Sequence, residues 1–170
     1  MATTSTQIAI ETYLKTSYHP DCDYVDGEIE ERNLGEFDHA TLQMAIAAMF
    51  YTRRKEWNVH VLPQQRVRVA ARRVRIPDVC LVSRELPVEQ VITHPPLVVI
   101  EVLSPDDRVR RYNERLEDYR AMGVLNIWVI DPETKEGFDW IAGWQGRSRF
   151  EAAGTPIYLD LAELFAEIEK

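Results

Sequence analysis

Apolar residues in the first third of the chain change from helical to strand spacing and back again. Residues 7–15 carry apolar side chains at loosely helical intervals, which predicts a short helix over Gln7–Lys15. The segment Cys22–Glu31 pivots on Asp26 and Gly27, a dipeptide typical of two-residue turns, and it predicts an antiparallel hairpin. A stripe of large apolar side chains with alanines between them then predicts a long helix over Phe37–Trp57.

Three segments rich in β-forming residues follow the long helix. They are Asn58–Leu62, Gln65–Ala70 and Val74–Ser83. Pro77 lies near the middle of the third segment, where its missing N–H favours an edge strand or a bulge.

A strand–helix–strand unit occupies the next part of the chain. Leu97–Leu103 is apolar except for Glu101, and a strand of this kind is typically buried on both faces. Asp106–Met122 reads as a charged helix closed by Gly123, and Leu125–Ile130 reads as a second buried strand. Because such a unit needs a crossover between parallel strands, we predict an α/β (α+β) fold with a mixed central β-sheet flanked by helices.

The last thirty residues predict further strands and a final helix. Phe138–Trp144 and Ser148–Ala152 read as a hairpin, and Leu159–Glu169 reads as a helix with Asp160 at its N-cap. A chain of 170 residues and 19.7 kDa is large enough for one hydrophobic core, so we expect a single domain over residues 1–170.

Cysteine usage and the N-terminal residues indicate a cytoplasmic protein. Cys22 and Cys80 are far apart and have no metal-finger spacing, which excludes a disulfide scaffold and a zinc finger. Residues 1–20 lack the basic and apolar regions of an export signal, and the run Leu97–Ile100 is too short to span a bilayer.

The charge distribution says more than the net charge of −8. Residues 51–120 contain 14 basic and 10 acidic side chains, so the middle of the chain is basic. Arg66 and Arg68 alternate along the chain, as do Arg73 and Arg75. On a strand, the two members of each pair lie on the same face. A solvated hairpin face and a phosphate-binding face fit this pattern equally well. The arginines of the basic stretch are Arg66, Arg68, Arg72, Arg73 and Arg75.

Two carboxylates lie inside apolar strands, where an unpaired charge is expensive. Glu101 interrupts Leu97–Leu103, and Asp78 precedes the apolar run 79–82. If the two strands are neighbours, both acids can converge on Mg²⁺, a hard cation that prefers oxygen ligands. The alternative is that each buried acid pairs with an arginine.

The helix after Glu101 supplies candidate cations. Arg108, Arg111 and Arg115 share one face, and at least one of them can reach back to the strand end. For most of these arginines a solvated, salt-bridged face is the favoured interpretation, whereas for Arg115 both remain open. Glu36 and His39, near the start of the long helix, are accessory candidates for metal or phosphate contact.

Several short motifs of the chain are specific in combination, namely Ile76–Val79, Pro95–Pro105, Tyr119, Gly123–Val124 and Trp128–Pro132. Together they resemble the Uma-two family of restriction-endonuclease-like proteins, part of the PD-(D/E)XK nuclease superfamily. The resemblance covers about Tyr13 to Leu164, and the hairpin and His39 match its N-terminal half.

The resemblance implies a restriction-endonuclease-like fold with Asp78 and Glu101 as metal-binding acids. The superfamily commonly has a lysine two residues after the second acid, where this sequence has Leu103. The family pattern instead carries a lysine on the following helix, and that position is Arg115. Arginine keeps the positive charge but does not release a proton, so Arg115 would supply only the electrostatic part of the lysine's role.

These observations lead us to expect an endonuclease that uses Mg²⁺ or Mn²⁺ to hydrolyse phosphodiester bonds of nucleic acid, DNA rather than RNA. Asp78 and Glu101 would hold the ion, and Arg115 would stabilise the charge of the transition state. One alternative is a catalytically impaired nuclease fold that binds nucleic acid through Arg66, Arg68, Arg73 and Arg75. Another alternative is a homodimer whose interface is the aromatic hairpin, namely Phe138, Trp140 and Trp144.

Overall fold

The computed structural model describes residues 6–32, 35–105, 107 and 109–169, without the side chain of Val109. Four helices lie within these ranges: α1 (Ile10–Leu14), α2 (Phe37–Arg53), α3 (Val109–Met122) and α4 (Leu161–Ile168). None of the described helices combines the length and the apolar character needed to cross a membrane. The same ranges contain twelve strands: β1 (Asp23–Val25), β2 (Glu28–Glu30), β3 (Val59–Pro63), β4 (Val67–Ala70), β5 (Arg73–Arg75), β6 (Val79–Ser83), β7 (Val98–Val102), β8 (Ile127–Ile130), β9 (Gly137–Trp140), β10 (Trp144–Arg147), β11 (Arg149–Glu151) and β12 (Tyr158–Asp160).

A six-stranded mixed sheet forms the centre of the fold, in the order β10-β9-β8-β7-β6-β3. The pair β7–β8 is parallel and is connected by α3, whereas the other pairs of named strands in this sheet are antiparallel. The predicted mixed sheet and its strand–helix–strand unit are therefore confirmed. Gly123 ends α3 with φ of 107°, as expected for a helix-terminating glycine.

Helices cover both faces of the central sheet, which explains the continuous apolar runs of β7 and β8. Ile100 and Trp128 pack on one face with side chains of α2 and α4. Val99 and Val129 pack on the other face with Leu116 of α3. Because side chains alternate along a strand, Glu101 shares the α3 face with Val99.

A second, antiparallel sheet has the order β2-β1-β5-β4 and packs against α1. Its β1–β2 hairpin turns at Asp26 and Gly27, whose φ angles of 51° and 102° match a turn with two left-handed residues. The predicted N-terminal hairpin is confirmed. The predicted first helix is also present, in the shorter form α1.

The segment Val74–Ser83 is two strands, which corrects the prediction of one. Pro77 cannot donate a ladder hydrogen bond, and the N–H of Ile76 donates to Asp23 Oδ1 at 3.1 Å instead of to a strand. The chain therefore leaves β5 in the antiparallel sheet and enters β6 in the central sheet. Asp78 lies at this passage between the two sheets.

The pairing of the C-terminal strands also differs from the prediction. The predicted partners, residues 138–144 and 148–152, do not form one hairpin, because β9 pairs with β10 and β11 pairs with β12. The helix prediction is confirmed, since Asp160 caps α4 by accepting a hydrogen bond from the N–H of Glu163 at 3.1 Å.

The aromatic side chains of the β9–β10 hairpin pack on one another and on α3. Trp144 makes edge-on contacts with Phe138 and Trp140 and stacks on Tyr112, with ring centroids 5.5–6.0 Å apart. Trp140 is buried and Phe138 is half-buried. Of the three aromatic residues suggested for a dimer interface, Trp144 is therefore the most exposed.

Gly137 lies where β9 passes closest to β11 and α4. A Cβ atom at this position would lie 2.7 Å from Phe150 Cζ and 2.9 Å from Leu161 Cδ1. We predict that Gly137→Ala lowers the free energy of unfolding by about 1–3 kcal/mol, because these packed neighbours must move.

The measurement is urea denaturation of Gly137→Ala beside the control Gly146→Ala. Gly146 lies on the paired strand β10, and a Cβ atom there meets nothing within 4 Å. Equal denaturation midpoints for the two variants would contradict the prediction.

Candidate active site

Asp78 and Glu101 come together at the end of two neighbouring strands. In the antiparallel β6–β7 pair, Val79 is opposite Ile100, so the same register continued by one residue puts Asp78 opposite Glu101. Asp78 Oδ2 accepts a hydrogen bond from the N–H of Val102 at 2.8 Å, which ties the first acid to the residue after the second. Both side chains are buried.

Asp78 is surrounded by hydrogen-bond donors and positive charge. Arg32 Nη2 donates to Asp78 Oδ1 at 2.9 Å, and His39 Nε2 lies 3.3 Å from Asp78 Oδ2. Burial opposes ionisation of Asp78, but the bond to His39 and the charge of Arg32 outweigh it and lower the pKa of Asp78. Burial likewise opposes protonation of His39, but the bond to Asp78 raises the pKa of the imidazole. Asp78 is therefore held as a carboxylate.

The backbone of Asp78 is fixed as well as its side chain. Its carbonyl oxygen accepts hydrogen bonds from Gln43 Nε2 at 3.0 Å and from the N–H of Gln64 at 3.1 Å. Gln43 and His39 lie one turn apart on α2, so this helix holds the acid by two contacts.

Glu101 has fewer hydrogen bonds and a more distant cation than Asp78. Its Oε1 accepts a hydrogen bond from Tyr119 OH at 2.6 Å. Its Oε2 is buried without a hydrogen-bond partner, and the nearest cation in an ion pair is Arg115 Nη1 at 3.7 Å. Burial raises the pKa of Glu101 to about 8, although the charge of Arg115 opposes this shift. Glu101 thus has a guanidinium at ion-pair distance but no hydrogen bond from a cation.

A network of buried ion pairs extends from Arg115 into the antiparallel sheet. Arg115 Nη2 lies 3.2 Å from Asp23 Oδ2, and the same oxygen lies 3.1 Å from Arg75 Nη1. Arg75 is fully buried and also contacts Asp118 at 2.7 Å and Glu30 at 2.8 Å. Asp23 therefore links the guanidinium near Glu101 to the core of the second sheet.

A cavity of about 610 Å³ opens beside Asp78. It has both acidic and basic walls, and Glu101 is not among the described residues that line it. The cavity can admit a charged ligand next to Asp78, with Glu101 behind the wall. Its charged and polar lining includes Asp21, Arg32, His39, Asp78, Arg111 and Arg115.

The accessory residues of the sequence analysis separate in the structure. His39 contacts Asp78, as described, whereas Glu36 is exposed at the N-cap of α2, outside the described lining of the cavity. Arg111 is exposed and lines the cavity, and Arg115 is half-buried beside Glu101. Arg108 lies outside the described residues.

The arginines of the basic stretch are largely engaged by acids. Arg66 pairs with Asp21 at 2.6 Å. Arg73 contacts Asp26 and Asp118, each at 2.7 Å. Arg68 is half-buried and donates a hydrogen bond to the carbonyl of Ala71. Arg72 is exposed, and Arg75 is buried.

Arg75 must therefore be removed from the predicted nucleic-acid face, because a fully buried guanidinium cannot reach a phosphate at the surface. Arg73 and Arg75 do share a face, as strand periodicity predicted, since both contact Asp118. That face is turned towards α3 rather than towards solvent.

Two residues that sequence reasoning missed are central to the site. Arg32 follows the hairpin and contacts Asp78, which is 46 positions away along the chain. Asp23 lies in the hairpin and is buried, although hairpin acids usually face solvent. The only sign of Arg32 in the sequence was that a buried Asp78 needs a cation, and this did not identify which residue supplies it.

The carboxylate oxygens of Asp78 and Glu101 are the type of ligand that a hard divalent cation prefers. Among the described residues, no three His, Cys, Asp or Glu side chains form a group that could hold a metal ion. Two carboxylates are nevertheless enough for Mg²⁺, which usually keeps several waters. Glu101 Oε2 accepts no hydrogen bond and lies 3.7 Å from Arg115 Nη1, whereas Arg32 donates a hydrogen bond to Asp78 Oδ1. A metal ion would thus have to share Asp78 with Arg32 or displace it.

The mixed sheet, its flanking helices and the pair of acids at a strand end define a restriction-endonuclease-like nuclease fold. The chain belongs to the Uma2 family, described as "Putative restriction endonuclease", whose model matches residues 10–150. No curated protein matches the chain.

The structure of a similar protein supports the same fold. The crystal structure of a "putative nuclease belonging to DUF820" from Anabaena variabilis superposes with a TM-score of 0.79. It is 16% identical, and the match covers 95% of this chain and 99% of that one. A DrdV–DNA complex is 11% identical with a TM-score of 0.43, over 74% of this chain and 10% of that chain.

The raised pKa of Glu101 makes stability depend on pH. Between its ordinary value of 4.5 and about 8, the folded protein keeps a proton that the unfolded chain releases. The contribution of Glu101 to stability is therefore fully present below pH 4.5 and is lost as the pH rises to about 8. We predict that the free energy of unfolding of the wild type falls relative to Glu101→Gln over this range.

Urea denaturation at several pH values tests the prediction. Glu117→Gln serves as the control, because Glu117 is an exposed acid of α3. If the wild type and Glu101→Gln change in parallel with pH, Glu101 does not titrate in this range.

Proposed function

We propose that this protein is an endonuclease that uses Mg²⁺ or Mn²⁺ to hydrolyse phosphodiester bonds in nucleic acid. The observation that carries the proposal is the buried carboxylate of Glu101, whose Oε2 has no hydrogen-bond partner next to Asp78. With its pKa raised to about 8, Glu101 keeps its proton near neutral pH, and a bound cation would favour the ionised carboxylate instead. The family description supports DNA rather than RNA as the substrate.

Asp78 and Glu101 would hold the ion. When bound, a divalent ion polarises a phosphoryl oxygen and lowers the pKa of a coordinated water. His39 orients the carboxylate of Asp78 by its contact with Oδ2. Tyr119 orients Glu101 by donating to Oε1, which leaves Oε2 available. Both acids are thus positioned by neighbours on the helices.

Arg115 would stabilise the negative charge that develops on the phosphate. It lines the cavity and keeps its charge, because attraction from Asp23 and Glu101 outweighs burial and raises its pKa well above the ordinary value. Such a cation strengthens the binding of the transition state relative to the ground state. Arg115 would not deprotonate the attacking water.

In the described lining of the cavity, three arginines would contact a nucleic-acid backbone, against five acids that oppose its binding. Arg111 is exposed on its lining, whereas Arg68 and Arg72 lie on the β4–β5 hairpin. Arg66 and Arg73 could contribute only in competition with Asp21, Asp26 and Asp118.

The proposal also includes a single domain, a homodimer and a cytoplasmic location. The cytoplasmic location is supported by two free buried cysteines.

A second candidate function is nucleic-acid binding by a nuclease fold with impaired catalysis, as an interaction module. The specific observation in its favour is that guanidinium groups already face both acids, Arg32 at 2.9 Å from Asp78 and Arg115 at 3.7 Å from Glu101. Internal cations of this kind reduce the need for a metal ion. The two candidates differ in whether a bound substrate is cleaved.

Cleavage of plasmid, linear duplex, single-stranded DNA and RNA tests the proposed hydrolysis in Mg²⁺ and in Mn²⁺. We expect cleavage by the wild type and a loss of about 100-fold or more in Asp78→Asn and Glu101→Gln, because both changes remove a metal-binding charge. Glu114→Gln, an exposed acid of α3, is the matched control and should keep its activity.

Undiminished cleavage by both variants would refute the assigned acids. Binding that weakens steeply with added salt but yields no product would favour the second candidate.

The Arg32–Asp78 contact predicts competition between Arg32 and the metal ion. We expect Arg32→Gln to bind Mn²⁺ about 10-fold or more tightly than the wild type, because the change frees Asp78 Oδ1. Isothermal titration calorimetry measures the affinity without any substrate. Arg32→Lys keeps the charge and should remain close to the wild type.

Arg111→Gln is the control for long-range electrostatics, since Arg111 lines the same cavity and is exposed. Equal gains in Arg32→Gln and Arg111→Gln would show that total charge, rather than the contact with Asp78, sets the affinity.

A further inference from the structure

Helix α2 carries an apolar face that points away from the core. Its inner face is packed against the central sheet through Leu42, Ile46 and Phe50. On the opposite side, Phe37 is 71% exposed, Met44 68% and Tyr51 55%. These three residues are among the most exposed large apolar side chains of the described residues, and they follow one another at intervals of seven along a single helix.

The residues between them keep this face free of charge. Ala40 and Ala48 are exposed, and Thr41 and Ala47 are half-buried. Positions three, four and seven residues from Met44 lie on the same side of a helix. The outer face of α2 is therefore a strip of apolar and small side chains, with Ala47 at its margin because Ala47 also packs against the core. The strip is defined as Phe37, Ala40, Thr41, Met44, Ala47, Ala48 and Tyr51.

The strip is symmetric about Met44. Phe37 and Tyr51 lie seven residues on either side of it, Ala40 and Ala48 lie four residues away, and Thr41 and Ala47 lie three residues away. In an antiparallel helix pair with a two-fold axis at Met44, each aromatic residue would face the other aromatic, and each small residue would face another small one. A two-fold interface needs this self-complementarity.

We propose that two copies of this chain associate through the outer faces of their α2 helices, antiparallel and with Met44 on the two-fold axis. Small residues on both sides of Met44 let the two backbones approach closely, and the aromatic pairs close the ends of the contact. The occupant of this face is thus a second copy of the same chain.

The charges at the two ends of α2 are complementary in the same arrangement. Glu36 and Asp38 lie at the N-terminal end, and Arg54 and Lys55 follow the C-terminal end. The Arg54 guanidinium lies over the Tyr51 ring at 3.8 Å, so its charge is beside the strip. Antiparallel pairing brings the acidic end of each helix to the basic end of the other, and it also aligns the helix dipoles favourably.

The paired face adjoins the cavity of the candidate active site. Ala40 belongs to the strip and also lines that cavity, and the neighbouring His39 contacts Asp78. A second copy would therefore lie at the rim of the cavity. The association itself does not depend on nuclease activity, so it can be tested whether or not the protein cleaves nucleic acid.

The size of the contact sets the expected affinity. A helix of 17 residues is about 25 Å long, and a single pair of such helices buries less than a standard interface of about 1,600 Å². We therefore expect a dissociation constant in the micromolar range and an equilibrium that depends on protein concentration.

Sedimentation velocity over a series of concentrations tests the association. We expect the wild type to shift from monomer to dimer, and Met44→Glu to remain a monomer because it puts two carboxylates together on the axis. Val88→Glu is the matched control, since Val88 is 77% exposed and lies outside α2, and it should dimerise like the wild type. Circular dichroism checks that each variant is folded.

Disulfide trapping tests the position of the axis. A residue on a two-fold axis meets its own copy, so Met44→Cys should form a cross-linked dimer under mild oxidation. Leu125→Cys should not, although Leu125 is more exposed than Met44. The natural cysteines Cys22 and Cys80 are buried. A monomeric wild type at all concentrations, or a Met44→Glu variant that still dimerises, would overturn the proposal. Failure of Met44→Cys to cross-link in a proven dimer would overturn the Met44 axis.

Discussion

The structure depends on the need of three buried carboxylates for positive charge. Asp23, Asp78 and Glu101 are fully or almost fully buried. Their cations come from separate parts of the chain: Arg32 after the first hairpin, Arg75 on β5 and Arg115 on α3. Removing one partner of a buried ion pair typically costs about 3–5 kcal/mol, because the remaining charge is left uncompensated. These contacts therefore hold the antiparallel sheet, the central sheet and α3 in one arrangement.

The three acids differ in how well nearby cations compensate their charge. This difference connects the fold with the proposed chemistry. Asp23 and Asp78 have close guanidinium partners, which keep them satisfied without any ligand. Glu101 has one hydrogen bond, from Tyr119, and its other oxygen has no hydrogen bond and only a 3.7 Å ion pair with Arg115. A fold that only needed stability would pair this acid or replace it with an apolar residue. Glu101 lies next to the cavity, where an ion or a substrate could supply the additional positive charge.

The sequence predicted those parts of the fold that have local signals. The turn at Asp26 and Gly27, the N-cap at Asp160 and the apolar runs around α3 each depend on neighbouring residues. The division of Val74–Ser83 and the pairing of β11 with β12 were not predicted, because both depend on which distant strand is available. For the site, burial of acids within apolar runs indicated Asp78 and Glu101. It did not indicate Arg32 or Asp23, whose roles arise from contacts made only in the folded chain.

The position of Asp78 between the two sheets makes the site depend on both sheets and on α3. Its strand neighbour β5 belongs to one sheet and β6 to the other, and the helix that supplies Tyr119 and Arg115 is made only after Glu101. During synthesis, a chain that had emerged as far as β7 would hold both carboxylates but lack the groups that orient Glu101 and supply nearby positive charge. The centre is thus incomplete in a nascent polypeptide that ends before α3.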